Sequence, residues 1–272
     1  MGGTATKQPE AVIASHERLT RQTMEHAPGR LLKNAPITEA LIDIRASPAG
    51  ILAPEALGRL REVFGEAFPQ VEDQRQGEFF IQLVEGRATQ PTVSDLGITG
   101  LLFRSEERNE AVQVQQDGAF VFSKLRPYSS WEDVSGAARR FWLTYSSVVP
   151  VSQINRMAVR YINQFVIPAQ RSVATYLTAP PAIPDGIDTL PIKQSLSRLV
   201  LAGPAKIVSR VTQATEAVES GTSVLIDIDC FREVQFAPTE ESFWSSLEEL
   251  RRMKNRIFFG SITPFAVEEF DK

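Results

Sequence analysis

The stretch Val112-Gln-Val-Gln-Gln-Asp-Gly-Ala-Phe-Val-Phe122 decides the fold class of this chain of 272 residues. Apolar and polar residues alternate on the way into Asp117-Gly118, and Phe120 and Phe122 continue the alternation on the way out. A period of two is typical of a half-buried strand, and Asp-Gly between two such runs favours a type I′ hairpin. The sequence therefore predicts antiparallel strand pairing here.

The same reasoning extends outward from the hairpin. Alternating runs predict further strands at residues 40–46, 78–84, 98–104, 155–168, 195–201, 206–215 and 223–231. Apolar residues at helical spacing predict three helices, at residues 54–68, at 130–148 with Ser130 as N-cap, and at 239–260 with Thr239 as N-cap. We expect an α+β fold, mainly an antiparallel sheet packed by a few helices on one side.

Composition divides the chain into segments. We expect residues 1–33 to be a polar tail or docking arm, 34–168 an N-terminal α+β half, 169–193 a Pro-rich connector and 194–272 a C-terminal α+β half. The run Leu41-Ile-Asp-Ile44 is echoed by Leu225-Ile-Asp-Ile228, which makes two related halves one option. The alternative is a chance match, because a match of four mostly apolar residues is frequent by chance.

Missing residue types exclude several kinds of chemistry. The only histidines, His16 and His26, lie in the polar tail, and Cys230 is the single cysteine. The remainder of the chain lacks the commonest general base, the commonest zinc ligand and an intramolecular disulfide. A net charge of −4 speaks against nucleic acid as a partner. One cysteine, and no apolar run of the roughly 20 residues that a membrane helix needs, indicate a cytoplasmic protein that does not enter a membrane. No Gly-rich phosphate loop and no G-x-G-x-x-G motif occurs, so we expect no cofactor.

Three segments together resemble a known family. They are Asn34-Ala-Pro-Ile-Thr-Glu-Ala-Leu-Ile-Asp-Ile44, Phe122-Ser-Lys-Leu-Arg-Pro-Tyr-Ser-Ser-Trp131 and Arg160-Tyr-Ile-Asn-Gln-Phe-Val-Ile-Pro168. This set is similar to a sporadically distributed, functionally uncharacterised prokaryotic family, over residues 34–168 and more weakly near 254–259. No catalytic residue is assigned in that family, so the resemblance implies none here. Patchy inheritance implies an accessory gene of a defence, toxin–antitoxin or biosynthetic cluster.

Asp227 and Asp229 are candidate metal ligands. They lie two residues apart on a strand, so both carboxylates project from one face and could hold a divalent cation such as magnesium. This pattern would suit a metal-dependent nuclease or transferase. The competing interpretation is the polar side of a half-solvated strand, opposite Val224, Ile226 and Ile228.

Arg156 and Arg160 are candidate anion ligands. They share the less apolar face of their strand and could clamp an anion bidentately. The competing interpretation pairs them with carboxylates on neighbouring strands, such as Asp43 or Asp227.

Tyr128, Trp131 and Asn163 complete the candidate binding residues. The two aromatic residues flank the entry to a helix and could stack on a ring, or Trp131 could simply pack there. Asn163 interrupts an apolar strand face, so its buried amide either fixes a loop or contacts a ligand.

These observations favour a non-catalytic accessory protein that acts through a protein partner or as a homo-oligomer assembled at a sheet edge. A small-molecule or anion binder with a cleft between sheet and helix is the first alternative. A metal enzyme built on Asp227 and Asp229 is the second.

Overall fold

A computed structural model describes residues 30–48, 52–80, 83–84, 87–88, 92–187, 190–237 and 241–272. Its strands are β1 Ile37–Pro48, β2 Gln70–Phe80, β3 Leu83–Val84, β4 Arg87–Ala88, β5 Thr92–Ser105, β6 Glu110–Gln115, β7 Ala119–Leu125, β8 Val151–Pro168, β9 Gln194–Ala202, β10 Val208–Val218 and β11 Gly221–Phe236. Its helices are α1 Pro54–Gly65, α2 Trp131–Val148, α3 Glu241–Ser261 and α4 Pro264–Phe270.

One antiparallel sheet of nine strands dominates the molecule, in the order β2-β5-β6-β7-β1-β8-β11-β10-β9. Strands β3 and β4 form a separate two-stranded ribbon. The predicted α+β class with a mainly antiparallel sheet is confirmed.

The helices share one side of this sheet. Ile42 of β1 lies opposite Phe122 of β7 and Val159 of β8, and all three are fully buried. The ring of Phe122 stacks on Phe141 of α2, and Trp142 of α2 contacts Phe243 of α3. The predicted one-sided packing is therefore present among the described residues, and we call the side of the sheet away from these helices the open face. Among the described residues, no helix is both long and apolar enough to cross a membrane.

The order of strands repeats within the sheet. Strands β1 and β8 pair at its centre, and each begins a run that goes out to an edge and returns by hairpins. The returning strands β7 and β11 pair with β1 and β8, and a long helix follows each. The echoed runs at Leu41 and Leu225 lie on β1 and β11, which hold different positions in this repeat. The sequence match is therefore not evidence for the structural repeat.

Four local predictions need correction. The strand predicted at 78–84 instead begins at Gln70 and ends at Phe80, and Leu83–Val84 is a separate strand. The hairpin after β6 exists, but only Gly118 of its turn has a positive φ, of 89°, so the turn is not type I′. The Asp117 carboxylate instead accepts the backbone N–H of Ala119. The helix predicted at 54–68 ends at Gly65, and the one predicted to stop at Gly260 ends at Ser261. The short helix α4, capped by the Thr263 hydroxyl, was not predicted.

The predicted tail lies almost entirely outside the described residues, as do both histidines and Thr239. Its last residues are described and pack onto the body. Leu32 is buried, Arg30 pairs with Asp271, and the N–H of Asn34 donates to the carbonyl oxygen of Phe270 at 2.8 Å. The beginning and end of the described chain therefore lie side by side.

Candidate functional site

The open face of the sheet carries a ladder of ion pairs. Arg160 of β8 donates from Nε and Nη2 to the two carboxylate oxygens of Asp227, at 2.8 and 2.7 Å. Arg156 donates to Asp43 of β1 at 2.5 Å and to Asp229 of β11 at 3.2 Å. Both arginines are thus engaged by carboxylates on neighbouring strands, as the competing interpretation of the sequence states.

Aromatic stacking and burial add to this ladder. The guanidinium carbons of Arg156 and Arg210 each lie 4.5 Å from the ring centroid of Phe231, which is buried although it faces the open side. Burial raises the pKa of Asp229, and the nearby arginines act in the opposite direction. The ladder is therefore a packed part of the sheet rather than a loose set of surface charges.

The two aspartates that could hold a metal already bind arginine. Within the described ranges, no group of three or more His, Cys, Asp or Glu side chains is placed to hold a cation. A magnesium ion would have to displace Arg160 and Arg156 from these carboxylates. The arrangement at Asp227 and Asp229 therefore favours a structural role for the pair.

Tyr128, Trp131 and Asn163 meet on the opposite side of the sheet. They line a cavity of about 140 Å³ between the sheet, the start of α2 and one face of α3. We call it the cleft; its other walls include Arg30, Leu31, Leu32, Arg251, Lys254, Asn255 and Phe258. Alternation along β8 separates the candidate residues, because Arg156 and Arg160 project to the open face and Tyr161 and Asn163 project to the helices.

Local sequence explains how the walls are placed. Ser130 caps α2 by accepting the N–H of Asp133 at 3.1 Å, which fixes Trp131 as the first helical residue. On α3, Arg251, Lys254, Asn255 and Phe258 follow the spacing i, i+3, i+4, i+7 and so share one face of the helix. That face packs toward β8 and β11 and closes the cleft.

Lys254 is the most unusual group in the cleft. It is 7% exposed, and its Nζ lies 3.6 Å from the ring centroid of Tyr161. Burial, with a smaller contribution from the positive charge of Arg251, lowers the pKa of Lys254 to about 7. Its ammonium group has neither a hydrogen bond nor an ion pair among the described residues. At neutral pH a large fraction of this amine is therefore uncharged.

Arg251 supplies a second positive charge. Its guanidinium donates to Glu248 at 2.8 Å, and its Cζ lies 5.5 Å from the centroid of the Trp131 ring. Its side chain is 18% exposed, so the planar group lies at the wall with room for a further contact.

Two phenols and an amide complete the polar lining. The hydroxyls of Tyr128 and Tyr161 lie 3.2 Å apart, and burial raises the pKa of both, so both stay protonated. The Asn163 amide nitrogen donates to the carbonyl oxygen of Ile226 at 3.0 Å. This bond fixes the amide plane, and no described residue donates to its Oδ1.

Sequence reasoning found the aromatic and amide residues of the cleft but missed Lys254 and Arg251. A signal for Lys254 was present, because it occupies a position on the apolar stripe that runs through Phe243, Leu247 and Leu250. A lysine at a position where burial is expected is uncommon unless a partner or a function requires it.

Comparisons with known proteins add no functional assignment. No family model matches the chain, and no curated protein matches it. Among solved structures it is similar to TBP from Methanococcus jannaschii, with 13% identity and a TM-score of 0.29 over 80% of this chain and 97% of that one. It is also similar to DynU16 of the dynemicin biosynthetic locus, with 12% identity and a TM-score of 0.21 over 85% and 97% of the two chains. Neither likeness carries an argument about function.

Proposed function

We propose that this protein binds a small organic anion in the cleft and that Lys254 makes the cleft select ligands with a negative charge. The observation that carries the proposal is a buried ammonium group that faces a cavity and has no acceptor among the described residues. Burying such a charge alone is costly. An anion that enters the cleft removes this cost, because it supplies the missing counter-charge and raises the pKa of Lys254 again.

Charge and shape of the walls support the same ligand class. Arg251 can add a hydrogen bond to the anion, and Asn163 Oδ1 can accept one from a hydroxyl or amine of the ligand. Trp131, Tyr128 and Phe258 give flat apolar surfaces. A cavity of about 140 Å³ is close in size to one that holds a single benzene ring, so an aromatic acid or a short keto acid fits.

Titration calorimetry with benzoate tests the proposal. At about pH 8 the Lys254 amine is mostly neutral, so binding an anion should take up nearly one proton per chain. Repeating the titration in buffers of different ionisation enthalpy measures that uptake. Lys254→Met should abolish it, and Lys193→Met, which alters an exposed lysine, should leave it unchanged. Failure of a panel of small carboxylates to bind, or binding without proton uptake, would overturn the proposal.

A second candidate function rests on strand β9. This nine-residue strand pairs with β10 on one side only within the described chain, and Leu196, Leu199, Val200 and Leu201 are exposed. Long apolar edges favour pairing with another chain. We propose that two copies pair antiparallel about Leu199, which sets Arg198 opposite Val200 of the second copy and keeps like charges apart.

Light scattering after size-exclusion chromatography tests this pairing. The unaltered protein should dimerise, and Val200→Lys should give monomers because it puts a charge at the centre of the edge. Leu143→Lys is the matched control, since Leu143 is a comparably exposed leucine on α2. A monomeric unaltered protein at high concentration would remove this candidate.

The resemblance described above supports an accessory role in the cytoplasm of a prokaryote, beside the product of a neighbouring gene. Either the cleft or the β9 edge could serve that role. Co-purification with the neighbouring gene product tests it, and Val200→Lys and Lys254→Met distinguish the two surfaces.

A further inference from the structure

Lys254 has the features of a reactive amine as well as those of a charge. Its Nζ lies between the Tyr161 ring and the cleft, and the positive charge of Arg251 is close enough to lower the pKa of Lys254. The ionisable side chains that line the cleft with it are Arg30, Glu132, Arg251 and Tyr128, and next to its amine lie the ring of Tyr161 and the buried thiol of Cys230. Burial raises the pKa of this thiol to about 11, so it is neutral and gives Lys254 no counter-charge.

We propose that Lys254 forms an imine with the carbonyl carbon of a small ligand that also carries a carboxylate, such as an aldehyde acid or a 2-keto acid. This inference rests on the proposed function, because the same cleft must first admit the anion. It goes further by naming the reacting atom of the protein and the second functional group of the ligand.

The reaction balances without an oxidant or reductant. The lone pair of the neutral amine forms a bond to the carbonyl carbon, and the carbonyl oxygen takes up a proton. One proton then passes from the nitrogen to the hydroxyl oxygen, the C–O bond breaks, and the oxygen leaves as water. The product is a protonated imine, and the net proton that it holds comes from solvent. The attack uses the neutral fraction of Lys254, which a pKa of about 7 makes substantial near pH 7. A Lys254 amine that takes up a proton when the anion binds must first return that proton to solvent.

The surrounding side chains match the needs of each step. Arg251 can bind the carboxylate and so orient the carbonyl group. The Tyr128 hydroxyl lines the cleft, bonds to Tyr161, and can supply a proton to the departing oxygen. The face of the Tyr161 ring, already beside Nζ, favours the positive charge of the protonated imine.

Other lysines offer contrasts within the same chain. Lys124 and Lys272 are ion-paired with Glu110 and Glu269, and Lys193 and Lys206 are exposed. A limiting amount of a carbonyl reagent near pH 7 should therefore modify Lys254 before the other lysines. This preference separates a built site from general lysine reactivity.

Reductive trapping of the full chain tests the inference. Glyoxylate with cyanoborohydride near pH 7 should add one carboxymethyl group per chain, located at Lys254 by peptide mass mapping. Lys254→Met should lose the rapid labelling, and Lys193→Met should keep it. Acetaldehyde, which lacks the carboxylate, should label Lys254 about tenfold more slowly, the factor expected from losing one charge-assisted hydrogen bond.

Even labelling of the lysines would overturn the inference, and calorimetry shows whether the proposed function fails with it. If benzoate binds with proton uptake but glyoxylate labels all lysines evenly, the cleft binds anions and forms no imine. If benzoate does not bind and labelling is even, both the imine and the proposed function fail. Equal rates for glyoxylate and acetaldehyde at Lys254 would overturn the carboxylate requirement.

Discussion

The ammonium nitrogen of Lys254 and the ring of Tyr161 face each other at 3.6 Å across the interface between α3 and β8. The ring face favours the charged lysine, and burial disfavours it. Burial has the larger effect, because the pKa of Lys254 falls to about 7. This balance makes the stability of the protein depend on pH.

We expect the free energy of unfolding to rise between about pH 7 and about pH 10, because the unfolded chain, with a lysine pKa near 10.4, binds more protons there. Below this window the cost of holding Lys254 charged reaches about 5 kcal/mol. Lys254→Met should therefore be more stable than the unaltered protein at low pH, with a difference that shrinks as the pH rises. Urea unfolding at several pH values measures it, and a constant difference would contradict the expectation.

On the open face, Arg156→Met should cost about 3 kcal/mol, because it leaves Asp43 and Asp229 partly buried without a common partner. Arg160→Met is the matched control and should cost under about 1 kcal/mol, since the Arg160 side chain is 44% exposed. Chemical denaturation of both variants gives the comparison. Equal losses in the free energy of unfolding would mean that burial adds nothing to the ion pairs of Arg156.

Tyr145→Phe should stabilise the fold by about 1 kcal/mol, because the Tyr145 hydroxyl is buried and meets no hydrogen-bond partner among the described residues. Tyr161→Phe should destabilise it by a similar amount, since it leaves the Tyr128 hydroxyl without its partner. Thermal unfolding of the two variants checks the opposite signs. A loss of stability in Tyr145→Phe would show that its hydroxyl has a partner after all.

The strand pattern of this fold was readable because period-two alternation survives wherever one face of a sheet is buried, as at Ile42 and Ile44. The geometry of the turn was harder to predict, because Asp117 can either adopt a positive φ or accept a hydrogen bond with its side chain. In the structure its carboxylate accepts the N–H of Ala119, and Asp117 has no positive φ. The short helix α4 was missed because its seven residues show too little periodicity.

The candidate site was only partly readable for a related reason. Asn163 could be recognised because it interrupts an apolar strand face, and Trp131 because it lies at the entry to a helix. Both line the cleft. Lys254 lies on α3, more than eighty positions from Tyr161 in the chain, so the contact between them depends on tertiary packing. The sequence suggested Asp43 and Asp227 as partners of the two arginines, but the ion pair between Asp229 and Arg156 depends on how β11 lies beside β8.

Gly221→Ala should destabilise the protein by about 3 kcal/mol. Gly221 has a φ of 144°, and a methyl group there would lie 1.9 Å from the carbonyl oxygen of Ile167. Gly58→Ala is the control, because nothing lies within 4 Å of its added methyl group and a helical alanine should gain about 1 kcal/mol. Denaturant midpoints give both values, and a tolerated Gly221→Ala would contradict the pairing of β11 with β8.

The side-by-side ends of the described chain bear on the order of events during synthesis. Leu31 and Leu32 form one wall of the cleft, and Lys254 forms another. Asn34 is held by the carbonyl oxygen of Phe270, near the end of the chain. Because a ribosome makes Phe270 long after Asn34, the first residues of this wall must wait for α4 before they are fixed. The cleft is thus completed only after α3 and α4 have been made, and a chain that stops short of α3 cannot bind there.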